Sequence, residues 1–451
     1  MRKKAGIFLI ILAGVLLYLS ACSYFVPDED PFSDTAPENG IITGDGEIPW
    51  ALVDIKQDAS GLFSNIFPAA GSGTEGFPEG SSGGPEMVSG DLLTVSQSAS
   101  GNEEKPVVVT FSENDPQYGD FDQDKHYCFK KLDSHGKTVY LQIYKILTER
   151  ISEAVLSTLD EDEVDKCFNC VMTDNPGIFY ADGYRMTKTT LDGKLQSITF
   201  APRYTMNEDE VLKMEDSIDD YVNRFITSMP ACPDEYSKAK YLFDYIIDNT
   251  EYDINSKNSQ NICSVFAEGR SVCQGYSMAA KYLCDELGIF CTVAYGQASG
   301  ESHAWNIMKL DGTFCHVDVT WGDASYHNSA EGRNESMKDY VFLGASDQII
   351  YVNHTLSHIV PLPVCNSLSS YYFVREGRYF TKPDAGMLDD AFDKAYSDGS
   401  TILSIRCADR AVYDEMDDYL FNKGNVFEFI KDSSHARYVR NSEELTISFL
   451  L

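Results

Sequence analysis

A chain of 451 residues exceeds one ordinary domain and, at roughly 100–200 residues per domain, predicts two to four folded units. Hydrophobic residues make up 43% and aromatic ones 12%, enough for globular cores, while 36 basic against 70 acidic side chains leave a formal charge of -34. A polyanion without a basic stripe repels phosphate backbones, so nucleic acid is excluded as an expected partner; the charge speaks to solubility, not to fold.

At the start, Arg2, Lys3 and Lys4 precede an apolar run from Ala5 to Leu19 that breaks into Leu19-Ser20-Ala21-Cys22. Basic, apolar and small-residue regions in that order predict an export signal. The break resembles the lipobox of bacterial lipoproteins, which implies loss of residues 1–21, lipidation of Cys22, and a mature chain anchored outside the cytoplasm. A transmembrane anchor is the rival reading, the run being near the short limit for a span. Of the 12 cysteines, eleven remain once Cys22 carries lipid, an odd number, so at least one thiol stays unpaired. Disulfides suit an exported chain, but spacing assigns no pairing. Cys167-Phe168-Asn169-Cys170 has CxxC spacing without a second CxxC for zinc or a preceding thioredoxin-like strand, and is read as structural.

Residues 23–106 are dominated by Gly, Ser, Pro, Asp and Glu and read as a disordered linker that cannot bury a core. Residues 107–230 read as a mixed α/β unit. Ile143, Ile146, Leu147, Ile151, Val155 and Leu159 are at helical spacing over Thr138–Leu159, and Asp160 with Glu163 forms a capping-box start for a second helix. Strands over Gly177–Tyr184 and Leu195–Tyr204 flank an Asp192-Gly193 turn, and a third helix covers Asn207–Phe225. Residues 366–451 read as a small α+β module, with strands Tyr371–Phe380, Thr401–Cys407 and Val426–Ile430 and helices near Met387–Tyr396 and Val412–Phe421.

The chemistry concentrates in residues 231–365. Cys273-Gln274-Gly275-Tyr276 leads into an amphipathic helix over Ser277–Leu287, stopped by Gly288, so Cys273 is expected at a helix N-terminus. Unpaired N–H groups and the positive dipole end favour a thiolate there and offer the Cys273 backbone N–H as an oxyanion donor. A hairpin over His303–Leu310 and Thr313–Trp321 turns at Asp311-Gly312. In that register paired numbers sum to 623, so His303 faces Thr320, lies diagonal to Asp318, and shares a face with it. The carboxylate would fix the imidazole while its other nitrogen meets the thiol. His316, facing Ile307 on the same side, competes, but His303 follows the polar Gly300-Glu301-Ser302 loop, where a base can reach a cleft. His354 and His358 have metal-ligand spacing, yet the glutamate of a zincin motif is absent and no metal is expected.

Taken in order, Val272-Cys273-Gln274-Gly275-Tyr276-Ser277, Leu287-Gly288-Ile289, His303-Ala304-Trp305-Asn306, Asp311-Gly312 and Asp318-Val319-Thr320-Trp321 resemble the transglutaminase-like superfamily of thiol enzymes, as does the helix and Tyr-Asp pair of Tyr241–Asp253. The resemblance implies an α+β fold with a papain-like transglutaminase core, flanked by the N-terminal α/β unit and the C-terminal α+β module. It also implies Cys273 as nucleophile, His303 as base and Asp318 as orienter. Val319 stands where a proline is usual. Asp174–Tyr180 and Leu362-Pro363 are similar to flanks of clostridial-type lipoproteins of this superfamily, which carries an expectation of a Gram-positive surface origin.

The expected reaction is acyl transfer through a Cys273 thioester on protein or peptide amides, cell-wall peptides among them, without a cofactor. Water as acceptor makes a peptidase or amidase; a lysine amine makes a cross-link. The second oxyanion donor is open among Asn249, Gln274 and Tyr252. The alternative is a non-catalytic surface module whose groove binds peptide or wall polymer. Oligomeric state is not written in the sequence.

Overall fold

The computed structural model describes residues 40–43, 91–96, 107–108, 121, 125–328, 333–357, 359–431 and 435–451. The export signal, the lipobox with Cys22, most of the expected linker and His358 lie outside these residues. Two described pieces of residues 23–106 depart from a structureless linker: Gly40–Thr43 and Asp91–Ser96 are strands. Their sequences, with Ile41-Ile42 and with Leu92, Leu93 and Val95, are β-prone islands in a Gly/Ser-rich stretch.

The chain divides into two units. The first takes in the described residues of Gly76–Trp321 together with Ile350–Cys365, and the second those of Ser23–Glu75, Gly322–Ile349 and Asn366–Leu451.

In the first unit, helix α1 (Ser134–Thr148) is capped by Asp133, whose side chain accepts from Gly136 N. The expected continuation to Leu159 does not occur. Arg150 adopts a positive φ of 53°, and Ala154–Val155 is a strand, so Ile151 and Val155 fit the helical period without belonging to the helix. Helix α2 (Glu161–Asp174) starts at Asp160 as expected, but the cap accepts from Asp162 N, and Glu163 instead meets His135 at 2.8 Å. The hairpin of β1 (Ala181–Leu191) and β2 (Lys194–Tyr204) turns at Asp192-Gly193, both at positive φ, which suits the twist of a tight hairpin. Its first strand starts later and runs further than Gly177–Tyr184: Ile178 N bonds Asn175 O in a turn, and the Thr-rich stretch to Leu191 pairs along β2. Helix α3 (Glu208–Ser228) opens with a full capping box, Asn207 and Glu210 bonding each other's backbone N–H.

Helix α4 (Glu235–Asn249) and helix α5 (Cys273–Leu287) follow, and α5 ends on Gly288 at φ 68°. The second sheet of this unit is antiparallel, with β3 (Cys291–Ala298), β4 (Glu301–Leu310), β5 (Thr313–Val317) and β6 (His354–Ser357) in the order β5-β4-β3-β6. Tyr276, Ala279, Ala280, Leu283 and Cys284 of α5 are buried, as are Ala294, Ala304, Ile307 and Met308 of the strands. At Gly296 a Cβ would collide with Thr355 O, so the absence of a side chain lets β6 lie close to β3.

In the second unit, Ile402–Cys407 pairs antiparallel with Thr446–Leu450 and parallel, through Arg406 and Cys407, with Tyr379–Phe380. Helices Ala385–Ser397 and Arg410–Asp417 cover a core of Leu388, Phe392, Leu403, Ile405, Met416 and Phe449. Two expected strands are corrected. Tyr372–Arg375 is a helical turn, the continuous apolar run there fitting either period. Asn425–Glu428 is a 3-10 turn that buries Val426 and Phe429, three residues apart. The chain is of mixed α+β class.

Candidate functional site

Helix α5 begins at Cys273 itself, four residues earlier than the apolar spacing indicated, with extended Val272 as an N-cap that offers no side-chain bond. Val272 thus leaves the first N–H groups of the helix without a cap from its own side chain, and Cys273 there is buried at 4% exposure. Gly275 lets this turn pack tightly: a Cβ there would strike the Ser271 hydroxyl, itself bonded to Ser264 Oγ at 2.7 Å.

The hairpin register is the expected one as far as it goes: Leu310 pairs with Thr313 and Asn306 with Val317. Beyond Val317 the ladder stops. Val319–Gly322 is a helical turn, not strand, because Asp318 Oδ1 accepts from Trp321 N at 3.1 Å and caps it, so His303 has no strand partner in Thr320. His303 pairs instead with Gly296 of β3. The two side chains still meet: His303 Nε2–H donates to Asp318 Oδ2 at 2.6 Å, and both residues are buried. That leaves Nδ1 as the ring nitrogen to serve the Cys273 thiol, which favours the charged imidazole. Asn306 draws helix and strand together by donating from Nδ2 to Ser277 O at 2.9 Å.

The electrostatics favour a charged imidazole. Burial opposes the imidazolium, but the Asp318 carboxylate and Cys273 together outweigh it and push His303 up to about 10. For Asp318, burial likewise opposes ionisation, and the contacts with His303 and His354 hold the carboxyl well below its usual range. The His303 ring stacks on Trp305 at 5.9 Å and lies 6.3 Å from Trp321. His316, the sequence's competing histidine, faces Ile307 as expected but has another task, accepting Trp305 Nε1–H at Nδ1 over 2.9 Å.

Sequence reasoning missed His354. On β6 its Nε2 stands 3.2 Å from Asp318 Oδ2, the oxygen that His303 uses. The ligand atoms of His303, Asp318 and His354 lie within 4.8 Å of one another, donor types able to hold a metal ion; here those atoms are committed to each other as hydrogen bonds. Cys167 and Cys170 are both buried on α2, and Cys167 Sγ donates to Gly136 O. All eleven cysteines of the described residues are free thiols, Cys273 among them.

No curated protein matches the chain. Among solved structures it is similar to a TGase (15% identity over 34% of this chain and 48% of that one, TM-score 0.23). It is also similar to a candidate cysteine protease from Cytophaga hutchinsonii (15% identity, 30% and 62%, TM-score 0.21). A third likeness is to menin (16% identity, 49% and 58%, TM-score 0.21). In each case the chain spans less than two thirds of the relative's length, and at these TM-scores the likeness says nothing of activity. The sequence model of the Transglutaminase-like superfamily matches residues 221–319. That segment, which holds Cys273, His303 and Asp318, is the part of the chain that is similar to the transglutaminase-like superfamily.

Proposed function

We propose that the protein is a thiol enzyme that transfers acyl groups from protein or peptide amides through a Cys273 thioester. The observation that carries this reading is Cys273 at the start of α5 acting on His303, whose Nε2 meets Asp318 Oδ2 at 2.6 Å. The Cys273 thiolate attacks the amide carbon, and the backbone N–H groups at the helix start take up the oxyanion. The C–N bond breaks as His303 gives its proton to the departing amine. Water or a primary amine then attacks the thioester, His303 taking a proton from it, and Cys273 is released as thiolate. Export and anchoring through Cys22 belong to the same reading and are motivated by the basic, apolar and small-residue order of residues 1–22.

The test is incubation of the full chain with a peptide library, with and without a primary amine, and mass analysis of the products against Cys273→Ala. Cleaved peptides are expected if water is the acceptor, and ammonia release with amine incorporation if an amine is. Products that persist undiminished with Cys273→Ala, or an absence of any product alongside ordinary Cys273 reactivity toward iodoacetamide at mildly acidic pH, would favour a peptide-binding module.

A further inference from the structure

His354 has no role in the expected three-residue arrangement, yet it is set deeper than His303. Its side chain is 1% exposed and enclosed by the rings of Trp321 at 4.8 Å, Trp305 at 5.1 Å and His303 at 5.4 Å. Three donors converge on the Asp318 carboxylate: Trp321 N on Oδ1, and His303 Nε2 and His354 Nε2 both on Oδ2. A carboxylate oxygen accepts two such bonds readily, provided each imidazole brings a proton on Nε2. Burial disfavours the charged form of His354. His354 Nδ1 stands 2.6 Å from Asn353 Oδ1, and a half-turn of that amide brings its NH2 to the ring, where it donates to the Nδ1 of a neutral His354 that carries its proton on Nε2.

We propose that His354 is a positioning residue of the thiol site: its Nε2–H fixes the Asp318 oxygen that orients His303 and takes a share of that oxygen's negative charge. The inference rests on the reading of Cys273 and His303 as a thiol–imidazole pair. A base that must also release its proton to a leaving amine is hindered by a carboxylate that holds it too strongly. A second donor on the same oxygen divides the carboxylate's charge and eases that hold. The titratable groups facing His354 are Asp318, His303 and His316, and those facing His303 are Asp318, Cys273 and His354.

Alkylation of Cys273 in the full chain tests this without a substrate. Anionic iodoacetate is drawn to a thiolate beside an imidazolium, whereas neutral iodoacetamide is not, so the ratio of the two rates falls at the pH where His303 loses its proton. In the wild type a clear fall is expected, and His303→Asn should abolish it; failure of either overturns the thiol–imidazole pair and the role of His354 with it. Given that fall, His354→Phe should move it upward by roughly half a pH unit or more, and His354→Gln, which keeps an N–H near Nε2, should restore it. Asn353→Asp, which accepts a proton from Nδ1 and so charges His354, should move it downward. An unmoved fall in folded His354→Phe, or equal shifts in the Phe and Gln variants, overturns the proposal while leaving the pair intact. Asn353 is only half-buried, so if His354→Phe does not fold, an unmoved fall in Asn353→Asp overturns it instead.

Discussion

Gln274 follows Cys273 by one residue and is 1% exposed, and its Nε2 is buried with no hydrogen-bond partner among the described residues. An orphaned donor of this kind costs about 1–3 kcal/mol, and a buried donor one residue from the thiol is a candidate partner for a developing oxyanion. Of the other side chains open for that role, Asn249 spends Nδ2 on Tyr245 O at 2.8 Å, and Tyr252 rests against the Tyr276 ring at 6.3 Å. Gln274→Leu should therefore melt no lower than wild type, keep Cys273 reactive toward iodoacetamide, and lose roughly 100-fold in kcat. Unchanged turnover on a peptide found by the library screen would remove Gln274 from the site. A helix stop and a tight turn are local signals, and from them the sequence placed Cys273 at a helix start and His303 near Asp318, although the expected pairing of His303 with Thr320 is not made. His354 could not be placed in this way. Its partner lies 36 residues earlier, and β6 reaches β3 through pairing that no turn announces.

Among the elements, α5 positions Cys273, and it carries an ion pair between a buried lysine and a half-buried aspartate. Lys281 is fully buried and its Nζ meets Asp285 one turn on, at 2.6 and 2.7 Å. Removing one partner of a buried pair strands the other's charge, so Asp285→Ala should destabilise the unit by about 3–5 kcal/mol, and Lys281→Met in the same chain should recover much of it. Thermal melts of both variants check this; an Asp285→Ala variant that melts like wild type contradicts it. Element type was well marked where caps and turns spoke, as at Asn207, Gly288 and Asp192-Gly193. It was poorly marked where apolar spacing stood alone. Ile151 and Val155 kept a helical period past the true end of α1, and Val426–Ile430 read as strand although Val426 and Phe429 pack at helical spacing. Hydrophobic period reports which residues can share a face, and only the backbone signals say where that face stops.

At the scale of the whole molecule, no helix among the described residues is long and apolar enough to cross a membrane. The anchoring reading therefore turns on residues 1–22. The full chain made in a bacterial host should partition into detergent, with its mass showing loss of residues 1–21 and gain of a diacylglycerol on Cys22, while Cys22→Ser should stay in the aqueous phase. Equal partitioning of the two would remove the lipid anchor. Chain order could not foretell that Gly322–Ile349 groups with Asn366–Leu451, since a segment that leaves one unit and returns carries no mark in composition. That excursion also sets a sequence in time. During synthesis the thiol, the imidazole and the carboxylate all emerge by residue 318, but the strand bearing His354 follows only after the chain has passed through residues of the other unit and come back. The nascent protein thus holds its reactive groups before it holds the second histidine that braces them, and the cluster around Asp318 is the last part of the site to close.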